Sequence, residues 1–354
     1  MSQFLFTLFI SLLLFSGSVQ SEAISKEKKY DFKSPDIRAL LKEKEGLSIP
    51  EKYELKHIVA HSKEDHKYPD YYVMAAEKGE PYRTIWEMNL IMRENRFSEV
   101  KSNLLKQLKS YPDNEHLYFN LAMNQFLTGE GMKKDDSEGR AKVFKEGREL
   151  SQKCITENPR SMLCHLSFGI LTGRMLTNGS KFNQARYAGE IRDAWLKALK
   201  YKINFRLSNG ITAPSAVNHS LGIFYRLTPD SFWLDLFFGI RGDIDKSIQY
   251  QRKAMRTMPS RVAYNLELAA SLICKHQRDD DYKKEFNEGI KILKGCNNLI
   301  PVLKIDYLSM HDCGRMLKTP EIACGYSRDK QQNIDLDKIK KQIEDSKTQK
   351  KEKN

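Results

Sequence analysis

Apolar residues recur at helical spacing along most of the chain, and polar residues fill the positions between them. The stretch GDIDKSIQYQRKAMRTMPS, residues 242–260, carries the pattern in full: a Gly start, an amphipathic run, an Ala254-Met255 step near the end and a stop at Pro259. Alternating Val/Ile/Thr runs bounded by Asn-Gly or Asp-Gly turns are missing, so the periodicity predicts an all-α fold.

The same phrase returns. With Pro112, Pro159 and Pro259 in register, the fifth and fourth positions before each are Gln107-Leu108, Cys154-Ile155 and Ala254-Met255. The ninth and tenth positions after each are Leu121-Ala122, Phe168-Gly169 and Leu268-Ala269. Gly129 follows Pro112 by seventeen residues and Gly242 precedes Pro259 by seventeen. These offsets define one unit: a first helix, a turn at Gly, a second helix, then Pro. A large residue beside a small one lets a neighbouring helix approach while the gap is filled. Proline lacks the amide donor and clashes with the preceding turn, so it ends the second helix.

This spacing resembles the tetratricopeptide repeat, a helix–turn–helix unit of ~34 residues whose copies stack into a solenoid. EHLYFNLAMNQFLTGE (115–130), SAVNHSLGIFYRL (215–227) and RVAYNLELAASLI (261–273) match its first helix, with Tyr118, Leu121, Ala122 and Gly129 in the expected places of the first match. IRDAWLKALKYKI (191–203) and NRFSEVKSNLLKQLKSYPDN (95–114) match second helices, and TIWEMNLIMRE (84–94) is a looser first helix. The order GILTGRM, IRDAWLKAL, SLGIFYRL, LFFG, GDIDKSIQYQRKAMRTMP resembles the regulators of microtubule dynamics and their bacterial relatives, and is similar to the tetratricopeptide component of some periplasmic solute transporters. The resemblance implies a binding scaffold and brings no catalytic residue. It also implies a concave groove lined by the first helices: His116, Phe119, Met123 and Phe126; Leu163, Leu166, Ile170 and Gly173; Ala216, His219, Ile223 and Arg226; Ala263, Leu266, Ala270 and Ile273. The Lys/Asn clamp for a terminal carboxylate is missing from this set. An apolar peptide fits it, unless further elements of the chain fill the groove.

The predicted organisation is therefore a signal peptide over 1–21, an N-terminal helical cap or extension over 22–81, about five helical hairpins over 82–295, C-terminal capping helices over 296–339 and a charged, disordered tail over 340–354. Phe4 to Phe15 has the length of a signal-peptide core, and Val19 and Ser21 are small enough to precede cleavage, although no Lys or Arg comes before the apolar run. No Cys stands directly after it, which argues against lipid attachment. Two segments interrupt the period. GEGMKKDDSEGRAK (129–142) reads as a polar loop, and TPDSFWLDLFFGIR (228–241) inserts Trp233, Phe237 and Phe238 among other large apolar groups between two helices. The insert is either a lid or partner surface, or a segment folded back onto the core. Burial is expected, because so many large apolar groups are rarely left wet.

Charge and cysteine usage refine this picture. The formal net charge of +13 favours anionic neighbours, such as acidic proteins, an anionic membrane surface or envelope polymers, although a solvated, soluble surface is the plainer reading; nucleic acid is not expected as a partner, because an exported chain seldom meets it and the basic residues are dispersed along helix faces. Six cysteines, Cys154, Cys164, Cys274, Cys296, Cys313 and Cys324, follow the export segment and are candidate disulfide partners, with neighbours in sequence the economical pairing; small buried apolar residues are the alternative. His57 and His61 at i, i+4 share a helix face that could hold a transition metal, with His66 nearby, but the third ligand is unspecified and surface histidines are the expected reading; His311 with Cys313 and Cys324 lacks the tight C-x-x-C pair of a zinc site, so a disulfide is the expected use. Sequons occur at Asn178 and Asn218, the latter within a packed helix. Nucleotide-binding and hydrolase motifs are missing. The sequence thus predicts a non-enzymatic, cofactor-free scaffold in the periplasm or cell envelope (or secreted) that binds a protein or peptide; the alternative is a solute- or lipid-binding component of an envelope transport system.

Overall fold

Three helices end by one device. Tyr111, Asn158 and Met258, each just before the registered proline, have φ/ψ of −132°/66°, −129°/71° and −139°/68°. Their amides donate to Gln107 O at 3.0 Å, Cys154 O at 2.7 Å and Ala254 O at 3.2 Å, the residues five positions before the prolines. The next helix is capped two residues beyond each proline, at Asn114, Ser161 and Arg261. The Asn114 and Ser161 side chains accept backbone N–H bonds there, as do Asp136, Thr212 and Asp243 at other starts.

The computed structural model describes residues 71–92, 95–133, 135–176, 181–201, 205–207, 211–259, 261–299 and 304–327. The predicted export segment 1–21, the extension up to residue 70, His57, His61 and His66, the sequon at Asn178 and everything beyond 327, including the tail 340–354, lie outside these residues. The described helices are α1 (Tyr71–Lys78), α2 (Tyr82–Met92), α3 (Phe97–Ser110), α4 (Glu115–Gly131), α5 (Ser137–Glu157) and α6 (Met162–Met175). They continue as α7 (Lys181–Lys200), α8 (Ala213–Leu227), α9 (Phe232–Phe238), α10 (Ile244–Thr257), α11 (Val262–Arg278), α12 (Lys283–Gly295) and α13 (Lys304–Lys318). Among the described residues the fold is all-α, with a single isolated bridge between Arg206 and Thr212 and no strand.

Contacts follow the chain. Helices pair as α2/α3, α4/α5, α6/α7, α8/α10 and α11/α12, and each first helix also touches the next: α2 with α4, α4 with α6, α6 with α8, α8 with α11, α11 with α13. Close approach within a hairpin needs the small residues of the repeat. A Cβ on Gly169 of α6 would fall on the Trp195 indole of α7, and one on Gly222 of α8 would come within 2.6 Å of the Gln251 amide of α10. One buried cluster runs from Tyr71 to Tyr264 and a second from Val262 to Tyr326.

The polar stretch 129–142 is shorter as a turn than its composition predicts. Helix α4 runs to Gly131 and α5 starts at Ser137, with Asp136 accepting from Gly139 N at 2.9 Å. Glu130 is drawn inward because Arg140 and Arg174 both reach its carboxylate. All six cysteines are paired, as Cys154–Cys164, Cys274–Cys324 and Cys296–Cys313. Cys154–Cys164 and Cys296–Cys313 join consecutive cysteines, whereas Cys274–Cys324 spans the second of these pairs. Cys274 on α11 faces the segment after α13, while Cys296 at the end of α12 faces α13 itself, so these two bonds are nested.

Gly169→Ala will destabilise the protein by about 1–3 kcal/mol, the usual cost of overpacking, read as a fall in thermal midpoint. Replacing Cys274 and Cys324 with Ala opens a 50-residue loop and will cost about 4 kcal/mol in denaturant unfolding on the chain-entropy estimate. The 10-residue loop of Cys154–Cys164 will cost about 3 kcal/mol by the same measurement.

Candidate partner-binding surface

The nine groove residues singled out from the repeat register, His116, Phe119, Met123, Phe126, Leu166, Ile170, His219, Ile223 and Arg226, are all buried. Leu163, Ala216, Ala263, Leu266, Ala270 and Ile273 are buried as well. The first helices thus present these positions to protein, and further elements of the chain occupy the space against them.

At α4 the filling comes from two directions. Tyr71 of α1 and Phe205, from the connection between α7 and α8, lie 4.7 Å apart ring to ring, and Phe205 is 4.9 Å from the His116 ring. Asn120 donates to Tyr71 Oη at 2.7 Å and to His116 O at 2.7 Å. Burial holds the His116 imidazole neutral, with a pKa lowered to about 3, and the Lys78 charge adds to the effect. The Glu115 carboxylate 3.9 Å away would favour the charged ring, but desolvation outweighs it.

Farther along, His219 Nδ1 meets Gln251 Oε1 at 3.0 Å, and its ring lies 4.6 Å from that of Tyr264. Arg226 is fully buried. It pairs with Glu267 of α11 at 2.5 Å and donates to Ala323 O at 2.8 Å and Cys324 O at 3.3 Å. Its guanidinium also sits 5.9 Å from the centre of the Tyr326 ring, whose hydroxyl donates to Asp312 at 2.7 Å. Arg226 therefore anchors the segment that follows α13. Tyr71, Phe205, Glu267 and Tyr326 complete these sets and lack any repeat signature that would mark them in sequence.

The insert behaves differently from the predicted burial. Leu234 and Ile240 are buried, and Phe238 packs on Phe182 of α7 at 5.8 Å. Gly239 closes α9 at φ +63°, a left-handed conformation suited to glycine. Arg192 of α7 also donates to Gly239 O. Yet Phe232, Trp233 and Leu236 are 64%, 46% and 58% exposed. Trp233 stacks on Phe237 at 5.8 Å with the rings 9° from parallel. A seven-residue helix cannot hide every side chain when only one flank rests on the body, so one apolar stripe turns inward and another outward. Helical spacing of 232, 233 and 236 in FWLDLFF carries that signal. The exposed Asp235 stands beside the outer stripe, and Asp230 pairs with Arg241 at 2.5 Å nearby.

The remaining candidates are not assembled into chemistry. Cys313 and Cys324 belong to different disulfides, and His311 is exposed, 3.6 Å from Asp312. Among the described residues, no group of three or more His, Cys, Asp or Glu side chains is placed to hold a metal ion. Asn218 is half-buried and donates to Pro214 O at 2.7 Å. No described helix is long and apolar enough to cross a membrane. Compared with known families and with curated proteins, the chain matches none.

Because the unfolded chain protonates His116 near pH 6.5 and the folded one only near pH 3, the unfolded state binds more protons between those values. Stability from this residue is complete above about pH 6.5 and is lost as the pH falls, by up to about 5 kcal/mol near pH 3. His116→Phe will show a shallower fall in unfolding free energy between neutral pH and pH 4 than the wild type.

Proposed function

We propose that this chain is a non-enzymatic scaffold of stacked tetratricopeptide-like hairpins that binds a protein or peptide partner in the cell envelope or periplasm. The repeated stop-and-start geometry at Pro112, Pro159 and Pro259 supports the repeat reading, as does packing that passes from each hairpin to the next. Three disulfides support an oxidising compartment, in keeping with the apolar N-terminal segment. The observation that carries the binding function is α9. Large apolar side chains exposed on a helix fixed from beneath by Leu234, Phe238 and Ile240 form the kind of patch that marks an interaction site. Binding moves from the inner groove that the resemblance implies to this outer surface, because the inner positions are occupied.

A photo-crosslinking residue at Leu236 of the full chain, expressed in its native envelope, will capture one stoichiometric protein partner, and Phe232→Asp will abolish the adduct. Phe232→Asp leaves the thermal midpoint within about 2 °C of wild type, as expected for a surface change of about 0.5 kcal/mol. No adduct, or the same products from a crosslinker at the exposed Ser98 of α3, would overturn the reading.

A further inference from the structure

The basic residues are less dispersed than their sequence positions indicate. Ser102, Leu105, Lys106, Leu108 and Lys109 of α3 and Lys153 of α5 line a cleft of about 600 Å³. Lys106 and Lys153 stand six residues before Pro112 and Pro159, so they occupy the same register on second helices of adjacent hairpins. Lys109 lies one turn beyond Lys106. Near this cleft Lys101 of α3 pairs with Glu146 of α5 at 3.0 Å. Lys106, Lys109 and Lys153, by contrast, make no ion pair among the described residues. The Lys153 ammonium is 5.8 Å from the centre of the Tyr118 ring, which leaves it turned to solvent over an aromatic face.

The floor of the cleft is apolar. Leu105 is 39% exposed, and Leu108 packs on the small cluster of Tyr118, Cys154 and Cys164. Lys106, Lys109 and Lys153 bring three positive charges to the edge of exposed leucine surface, and an anion placed there is favoured. A small inorganic anion leaves the leucines wet. A neutral apolar ligand leaves the charges unanswered. The cleft is open to solvent, so it can seat the first part of a ligand without enclosing it.

We propose that this cleft binds a single-chain anionic amphiphile of the fatty-acid type, with the carboxylate among Lys106, Lys109 and Lys153 and the first part of the tail on Leu105 and Leu108. The site lies on α3 and α5, apart from α9, and does not rest on the scaffold reading.

The test is calorimetric titration of the full chain with dodecanoate below its micelle concentration, beside acetate and dodecanol. Dodecanoate will bind with one site per chain, more weakly as salt is raised. Acetate and dodecanol, each lacking one half of the interaction, will bind at least about tenfold more weakly, since tenfold is only about 1.4 kcal/mol. The triple variant Lys106→Gln, Lys109→Gln, Lys153→Gln will lose about tenfold in affinity, as three exposed charge pairs of a few tenths to 1 kcal/mol each would give. The matching triple arginine variant will retain binding, and Leu105→Ser will weaken it. All altered side chains are exposed, and a thermal melt of each variant checks its folding. No binding at millimolar dodecanoate, equal binding of dodecanol or acetate, or unchanged affinity in the glutamine variant would overturn the proposal.

Discussion

A pair of helices joined by a short turn can bury only the faces the two turn toward each other; the rest of each apolar stripe needs another element. Everything in this chain follows from meeting that need with the next pair. The stop before each proline matters because it fixes where one pair ends and the next begins. The amide at the capping residue takes the carbonyl five positions before the proline, and the next helix is capped two residues beyond the proline each time. Glycines at the closest crossings, Gly169 against Trp195 and Gly222 against Gln251, then set how near the two members of a pair can lie.

Burying so much of every first helix carries a cost, because these helices contain polar residues. Each is matched. Asn120 bridges Tyr71 and the α4 backbone, Gln251 meets His219, and Arg226 finds Glu267 together with two carbonyls. A buried ion pair adds little net stability over an apolar pair, but removing one member leaves an uncompensated charge. The value of Arg226 therefore lies in specificity: its fork is satisfied only when the segment around Ala323 and Cys324 lies in place, which fixes how the last helices close the array.

The helices and their ends were legible in the sequence because proline, glycine and apolar spacing act locally. The groove was not, because Tyr71, Phe205 and Tyr326 reach the inner positions from segments outside the repeat register. The turn at 129–142 misled for a related reason: its polar, charged composition suggests a solvated loop, but Glu130 has two arginine partners, one of them on another hairpin. Disulfide connectivity was legible only where the two cysteines flank one turn. Lys106, Lys109 and Lys153 look scattered along the chain until neighbouring second helices are set side by side. The outward stripe of α9 was readable from helical spacing alone, but average hydrophobicity pointed the other way.

The Phe205 wedge against Tyr71 and His116 has a mechanical consequence. Open arrays of hairpins act as springs, and many accommodate cargo by tightening or unwinding their coil. Here the Phe205 ring, from the connection between α7 and α8, packs against Tyr71 and His116 and ties that connection to α1 and α4. If the chain is the scaffold proposed above, recognition falls to an outer surface, and affinity depends on local complementarity and not on elastic accommodation.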